Sequence, residues 1–190
     1  MRTRNSLPDH IQPDVRVLFV GINPGRRSAA VGHHFAGTSN RFWKLLSESK
    51  LAPVSLSYED DARLPEWGFG ITNLISRPSR GIDELTQAEY DAGRRKLLAK
   101  VHRYQPRIVV LLGITLFHVL FPKKPTRRSH KKSAQTSQRL GLQSGSLGAA
   151  RVFVLPNPSG RNAHYSYAAM LDIFRSLRRF IEPAIERMPP

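Results

Sequence analysis

The chain contains no cysteine, which excludes a disulfide framework, a thiol nucleophile and any zinc site built on thiolates. No apolar run approaches the roughly 18–20 residues needed to cross a bilayer. The basic start, Met1–Asn5, is not followed by the apolar core of a secretion signal. These absences lead to the expectation of a soluble, cytoplasmic protein with no membrane partner. Acid is scarce as well. Fourteen Asp and Glu stand against 30 Lys and Arg, leaving a formal charge of +16 and a pI near 11.2. No acidic residue lies between Asp14 and Glu48, none lies between Asp91 and Asp172, and the second gap holds 15 Lys or Arg. Such a field attracts polyanions, nucleic acid first among them, and repels basic partners.

What is present reads as one domain. Apolar residues make up 40% of the 190 positions, an ordinary globular share that excludes wholesale disorder. Four short apolar runs read as strands: Val15–Val20, Gly70–Ile75, Arg107–Gly113 and Arg151–Pro156. Between and after them lie helix candidates at Asn40–Lys50, at Thr86–Gln105 (where Thr86 and Glu89 fit a capping box) and at Tyr165–Ile181. Continuous apolar strands separated by helices predict an α/β fold, a three-layer α/β/α sandwich around a mostly parallel sheet. Residues 15–182 form the expected domain, with tails at 1–14 and 183–190. A basic insert at about 122–139 carries Lys123, Lys124, Arg127, Arg128, Lys131 and Lys132 as candidate phosphate contacts.

In doubly wound sheets the ligand sits beyond the carboxyl ends of the strands. The first strand runs into Gly21-Ile22-Asn23-Pro24-Gly25, and the last into Pro156-Asn157-Pro158-Ser159-Gly160-Arg161-Asn162. Both loops are stiffened by Pro, loosened by Gly and supplied with an Asn amide, a combination suited to phosphates and flat polar bases. Neither loop is a Rossmann or a Walker phosphate loop, and no nucleotide cofactor is expected. His33 and His34 are neighbours without a nearby Cys or acid in sequence, so no metal is expected either.

Gly21–Gly25, then Gly32-His33-His34-Phe35, Asn40-Arg41-Phe42-Trp43-Lys44 and finally Asn157-Pro158-Ser159-Gly160 occur in one order. Together with Gly70–Asn73 and Tyr104–Ile108, they resemble the mismatch-specific uracil/thymine-DNA glycosylases over about Val15–Phe180. The resemblance implies a uracil-DNA-glycosylase-like sandwich and a monofunctional DNA-repair enzyme. Such an enzyme flips a mismatched or damaged base out of double-stranded DNA and hydrolyses its N-glycosidic bond. It implies Asn23 as the residue that holds the attacking water. An amide orients water but is a poor general base, which implies reliance on orientation and on leaving-group quality. The base pocket is then expected to comprise Ile22, Ser28, His34, Phe35 and Asn73. Phe35 is the stacking platform and Asn73 the base-contacting or water-assisting amide.

The loop Asn157, Pro158, Ser159, Gly160, Arg161, Asn162 is the expected wedge and strand contact. Two departures matter. Ser28 stands where thymine-acting relatives carry Ala, as in the uracil-directed bacterial members, which favours uracil opposite guanine. Arg161 stands where better-known bacterial relatives have Leu, and a guanidinium stacks and donates hydrogen bonds rather than plugging the gap with apolar surface. Lys is absent from both loops, which argues against a lyase step. Two other readings are a glycosylase homologue that binds damaged DNA without acting on uracil, and a basic RNA-binding α/β module. A monomer is expected.

Overall fold

The computed structural model describes residues 6–122 and 140–185, with side chains up to residue 182. The basic insert, with its six candidate phosphate contacts, lies outside the described residues apart from Pro122.

Five strands build one sheet in the order β2-β1-β3-β5-β4. They are β1 (Val17–Gly21), β2 (Phe69–Asn73), β3 (Ile108–Leu112), β4 (Gly141–Leu147) and β5 (Ala150–Leu155). β1 pairs in parallel with β2 and β3, and β3 with β5, while β4 returns antiparallel to β5. All five residues of β1 and of β3 are buried, because helices cover both faces. This is the reason the strands read as unbroken apolar runs.

Alternation along the strands sorts the core into two layers. Val17, Phe19, Ile71, Val110 and Phe153 face a cluster with Phe42, Leu45 and Leu46 of α2 (Phe42–Glu48) and Met170, Phe174, Leu177 and Ile181 of α5 (Tyr167–Ile185). Leu18, Val20, Val109, Leu111, Val152 and Val154 face Leu97 and Val101 of α3 (Gln87–Tyr104) and Leu116 and Leu120 of α4 (Ile114–Leu120). The architecture is therefore the expected α/β/α sandwich. The capping box at Thr86 and Glu89 is formed, and Gln105 ends α3 in the left-handed conformation.

Four features differ from the sequence reading. β4 was not expected, since Gly141–Leu147 is polar and outward-facing at alternate positions, as an edge strand permits. α1 (Arg26–Val31) is a short helix following the first loop. The segment before β1, expected as a tail, is tied to β2 at Asp9 and His10. His10 and Ile71 exchange backbone hydrogen bonds of 3.1 and 2.9 Å. Lys100 ties the segment down further, donating to Asp9 at 2.6 Å and to Thr72 Oγ1 at 2.9 Å. At the other end α5 continues to Ile185, past the expected boundary at 182.

Candidate active site

The carboxyl ends of β1, β2, β3 and β5 open into one cavity of about 770 Å³. Ile22, Asn23, Ser28, Phe35, Asn73, Asn157, Ser159, Gly160, Arg161 and Asn162 all line it. Residues separated by more than a hundred positions thus meet because parallel strands deliver their loops to the same end of the sheet. Pro158 and His34 are not among the lining residues.

Asn23 has its amide orientation fixed. The Ser79 hydroxyl donates to the carbonyl of Gly81 at 2.6 Å, so it must accept from Asn23 Nδ2, which lies 2.8 Å away. Nδ2 also reaches the carbonyls of Pro24 and Arg77, each at 3.2 Å. The donor half of the amide is consumed and Oδ1 is left as an acceptor for a ligand or water. Ser79 is buried. The sequence reading missed it, because the signal lies 56 residues from its partner.

Phe35 is held in the left-handed region at φ 54°, an uncommon conformation for a bulky side chain and one that costs energy. Several contacts impose it. Ser28 Oγ accepts from the Ala36 N–H at 3.0 Å, Arg27 donates to the Ala36 carbonyl at 2.9 Å, and Trp43 Nε1 donates to the His34 carbonyl at 3.0 Å. Asp61 accepts from the His34 N–H at 2.7 Å and from His33 Nδ1 at 2.9 Å. The Phe35 ring rests on Phe42 with centroids 4.6 Å apart. Ser28, expected only as pocket wall, therefore also anchors the turn that aims Phe35.

Asp61, 1% exposed, is the buried charge of this clamp. Burial alone would raise its pKa, but hydrogen bonds from His10, His33 and the His34 backbone bring it down to about 2. His10, His34 and Asp61 each offer a ligand atom within 4.8 Å of the others. These are the described residues that could hold a metal. However, both ring nitrogens of His34 and both oxygens of Asp61 are engaged within the protein, so the group serves as a clamp for the turn.

His34, expected as pocket wall, is 1% exposed and stands behind Asn73. Its Nε2 lies 2.9 Å from the Pro8 carbonyl, and its Nδ1 lies 3.3 Å from Asn73 Nδ2. Burial lowers its pKa, outweighing the raising effects of the Pro8 carbonyl and Asp61. Gly21 has no room for a side chain. A Cβ there would sit 2.5 Å from Asn73 Oδ1 and 3.0 Å from Phe35 Cζ.

The Asn157–Asn162 loop is self-braced. Asn157 Oδ1 accepts from the Ser159 N–H at 3.0 Å, and Asn162 Nδ2 donates to the Asn157 carbonyl at 2.8 Å. Arg41 N–H, at the start of α2, donates to the Pro158 carbonyl at 2.9 Å, which gives Pro158 a supporting position. Gly160 packs against Ser39 so closely that a Cβ would collide with it. Exposed Arg161 reaches across the cavity mouth and donates to the Arg80 carbonyl at 2.6 Å. Arg26, Arg27 and Arg80 join it among the lining residues, with Asp83 the one acidic side chain among those described.

A doubly wound α/β domain with a polar, arginine-rimmed cavity at the carboxyl ends of its parallel strands has that cavity where such folds place their ligand sites, with side-chain charge that favours anionic groups. The chain matches the Uracil DNA glycosylase superfamily over residues 8–178 and belongs to it. Membership implies a DNA N-glycosylase, a hydrolase of base excision repair whose substrate is DNA carrying uracil.

Proposed function

We propose that the protein excises uracil from mismatches with guanine in double-stranded DNA, leaving an abasic site. The observation that carries the proposal is the convergence of three groups on one cavity. Asn23 offers its amide oxygen, Phe35 has a buttressed ring on a strained backbone, and Asn73 has an amide tied to His34. A flipped base stacks on Phe35 and meets Asn73 with its polar edge.

The bond between deoxyribose C1′ and uracil N1 then breaks, leaving an oxocarbenium-like sugar and a uracil anion. Water held at Asn23 Oδ1 adds its oxygen to C1′. Its proton leaves to solvent, and the departing base takes a proton from solvent in turn. Asn23 orients the water without taking the proton, so the rate rests on positioning and on the uracil anion as leaving group. The arginines at the mouth draw in the phosphate backbone.

Guanine selectivity is supported by the resemblance in Asn157-Pro158-Ser159-Gly160, from which Arg161 departs, and the preference for uracil over thymine by Ser28. The loop presents Ser159, Arg161 and Asn162 beside the cavity, where an opposite-strand base has polar groups to meet. Thymine and bulky modified cytosines are further candidate substrates within the same reading.

The test is single-turnover base release at near-physiological salt from duplexes carrying one guanine–uracil mismatch. Adenine–uracil, guanine–thymine and single-stranded uracil substrates run beside it, with Asn23→Ala as control. Release from guanine–uracil that Asn23→Ala abolishes supports the proposal. DNA binding without release from any uracil substrate refutes it.

A further inference from the structure

The hydrogen-bond chain behind the cavity has a direction. The Pro8 carbonyl can only accept, so the His34 nitrogen facing it at 2.9 Å, Nε2, must carry the proton. In a neutral imidazole Nδ1 is then a bare acceptor, and the atom of Asn73 that faces it at 3.3 Å must be the amide NH2. Oδ1 is thereby turned the other way, against Gly21 and beside Phe35 on the cavity side.

We propose that His34 is a positioning residue for base selection, fixing the Asn73 amide so that the cavity presents an acceptor to bases whose edge donates. Uracil and thymine donate from N3–H. Cytosine has a lone pair at N3, and Oδ1 repels it. The chain of control begins in the segment before β1. Pro8 is held in place by the His10–Ile71 pairing and by Lys100 on Asp9. The inference rests on the proposed uracil-excising activity and adds what sets its selectivity.

Several charged or titratable groups surround His34. Asp61 comes from the 3-10 helix Tyr58–Trp67, Asp9 and His10 from the N-terminal segment, and His33 from its own turn. Burial disfavours the charged ring. Protonation at acid pH would place a donor on Nδ1, turn Oδ1 of Asn73 towards it and present NH2 to the cavity.

Three variants and one spectrum test the inference. Base release is measured on duplexes carrying uracil opposite guanine or cytosine opposite adenine. Differences in pairing cancel when each variant is compared with the wild type. His34→Phe keeps the shape and removes the acceptor. It is expected to lower uracil release by about 10- to 100-fold and the uracil-to-cytosine ratio by at least about tenfold. His34→Asn, whose amide oxygen takes the place of Nδ1, is expected to keep the ratio within about threefold. Wild-type uracil release should fall in acid with a step that the Asn73→Ala profile lacks.

Imidazole 15N shifts at pH 8 should show Nε2 protonated and Nδ1 bare. A protonated Nδ1 overturns the inference, as does a folded His34→Phe protein with an unchanged ratio. If His34→Phe fails to fold, loss of the ratio in a folded His34→Asn protein overturns it. Absence of uracil release by the wild type refutes the proposed activity instead, and the 15N spectrum still decides the orientation of the chain.

Discussion

Gly21→Ala is the sharpest available perturbation of the pocket. The added methyl would sit 2.5 Å from Asn73 Oδ1 and 3.0 and 3.2 Å from two Phe35 ring carbons. Ordinary contact distances are about 3.5 Å or more, so the groups must part by roughly half an ångström to one ångström. Neither yields freely. Asn73 is tied to His34 at 3.3 Å, and Phe35 is backed by Phe42 at 4.6 Å and held at φ 54°. Overpacking of this kind costs about 1–3 kcal/mol, which for a domain of this size lowers Tm by about 2–12 °C. The effect on catalysis should be larger, because a displacement near 1 Å of a positioning group costs on the order of 100-fold. The assay is single-turnover uracil release at a temperature where circular dichroism shows the variant folded. A folded Gly21→Ala protein that releases uracil within threefold of the wild-type rate would refute the reasoning, since Asn73 and Phe35 could not then be the walls that grip the base.

Other outcomes follow from the same geometry. Ser79→Ala removes the acceptor that holds Asn23 Nδ2 at 2.8 Å. It should slow base release about 3- to 30-fold with DNA affinity unchanged, as read by single-turnover rates beside fluorescence anisotropy. Asp61 has a folded-state pKa of about 2 against an ordinary 3.8. Its contribution of about 2 kcal/mol is therefore fully present above pH 4 and lost as the pH falls towards 2, which acid unfolding of the wild type and Asp61→Asn resolves. Arg161→Ala frees the Arg80 carbonyl and removes one cation from the cavity mouth. DNA affinity should fall, and the slope of log affinity against log salt should flatten by about one if Arg161 meets a phosphate on the bound duplex.

The sheet was legible because its strands are buried on both faces. VLFVG and IVVLL read as strands wherever their ends are drawn. β4 was not legible, since a polar edge strand has neither the apolar run nor the alternation of apolar residues that betrays an amphipathic one. Asn23, Asn73 and Arg161 lie at the strand ends and exit loop read from the sequence, whereas Phe35 was reached only through the resemblance, and all four line the cavity.

Their supports were hidden, because each acts across a large gap in sequence. Ser79 serves Asn23 from 56 positions away, Asp61 holds His34 from 27 and Pro8 holds it from 26. His34 looked like pocket wall because it adjoins Phe35. The left-handed Phe35 backbone turns the two side chains apart, one into the cavity and one into the clamp behind it.

The pairing of His10 with Ile71 has a consequence for how molecules of this protein meet one another. β2 is the outermost strand on its side of the sheet, and an unpaired outer strand is a template for another chain. One antiparallel residue pair, made with chain that precedes the first strand, occupies the middle of that rim. Removing residues 1–10 would uncover the backbone groups of Ile71 that His10 now satisfies. Such a truncated protein should gain a tendency towards self-association, greatest at high salt, where the mutual repulsion of its strongly positive molecules is screened.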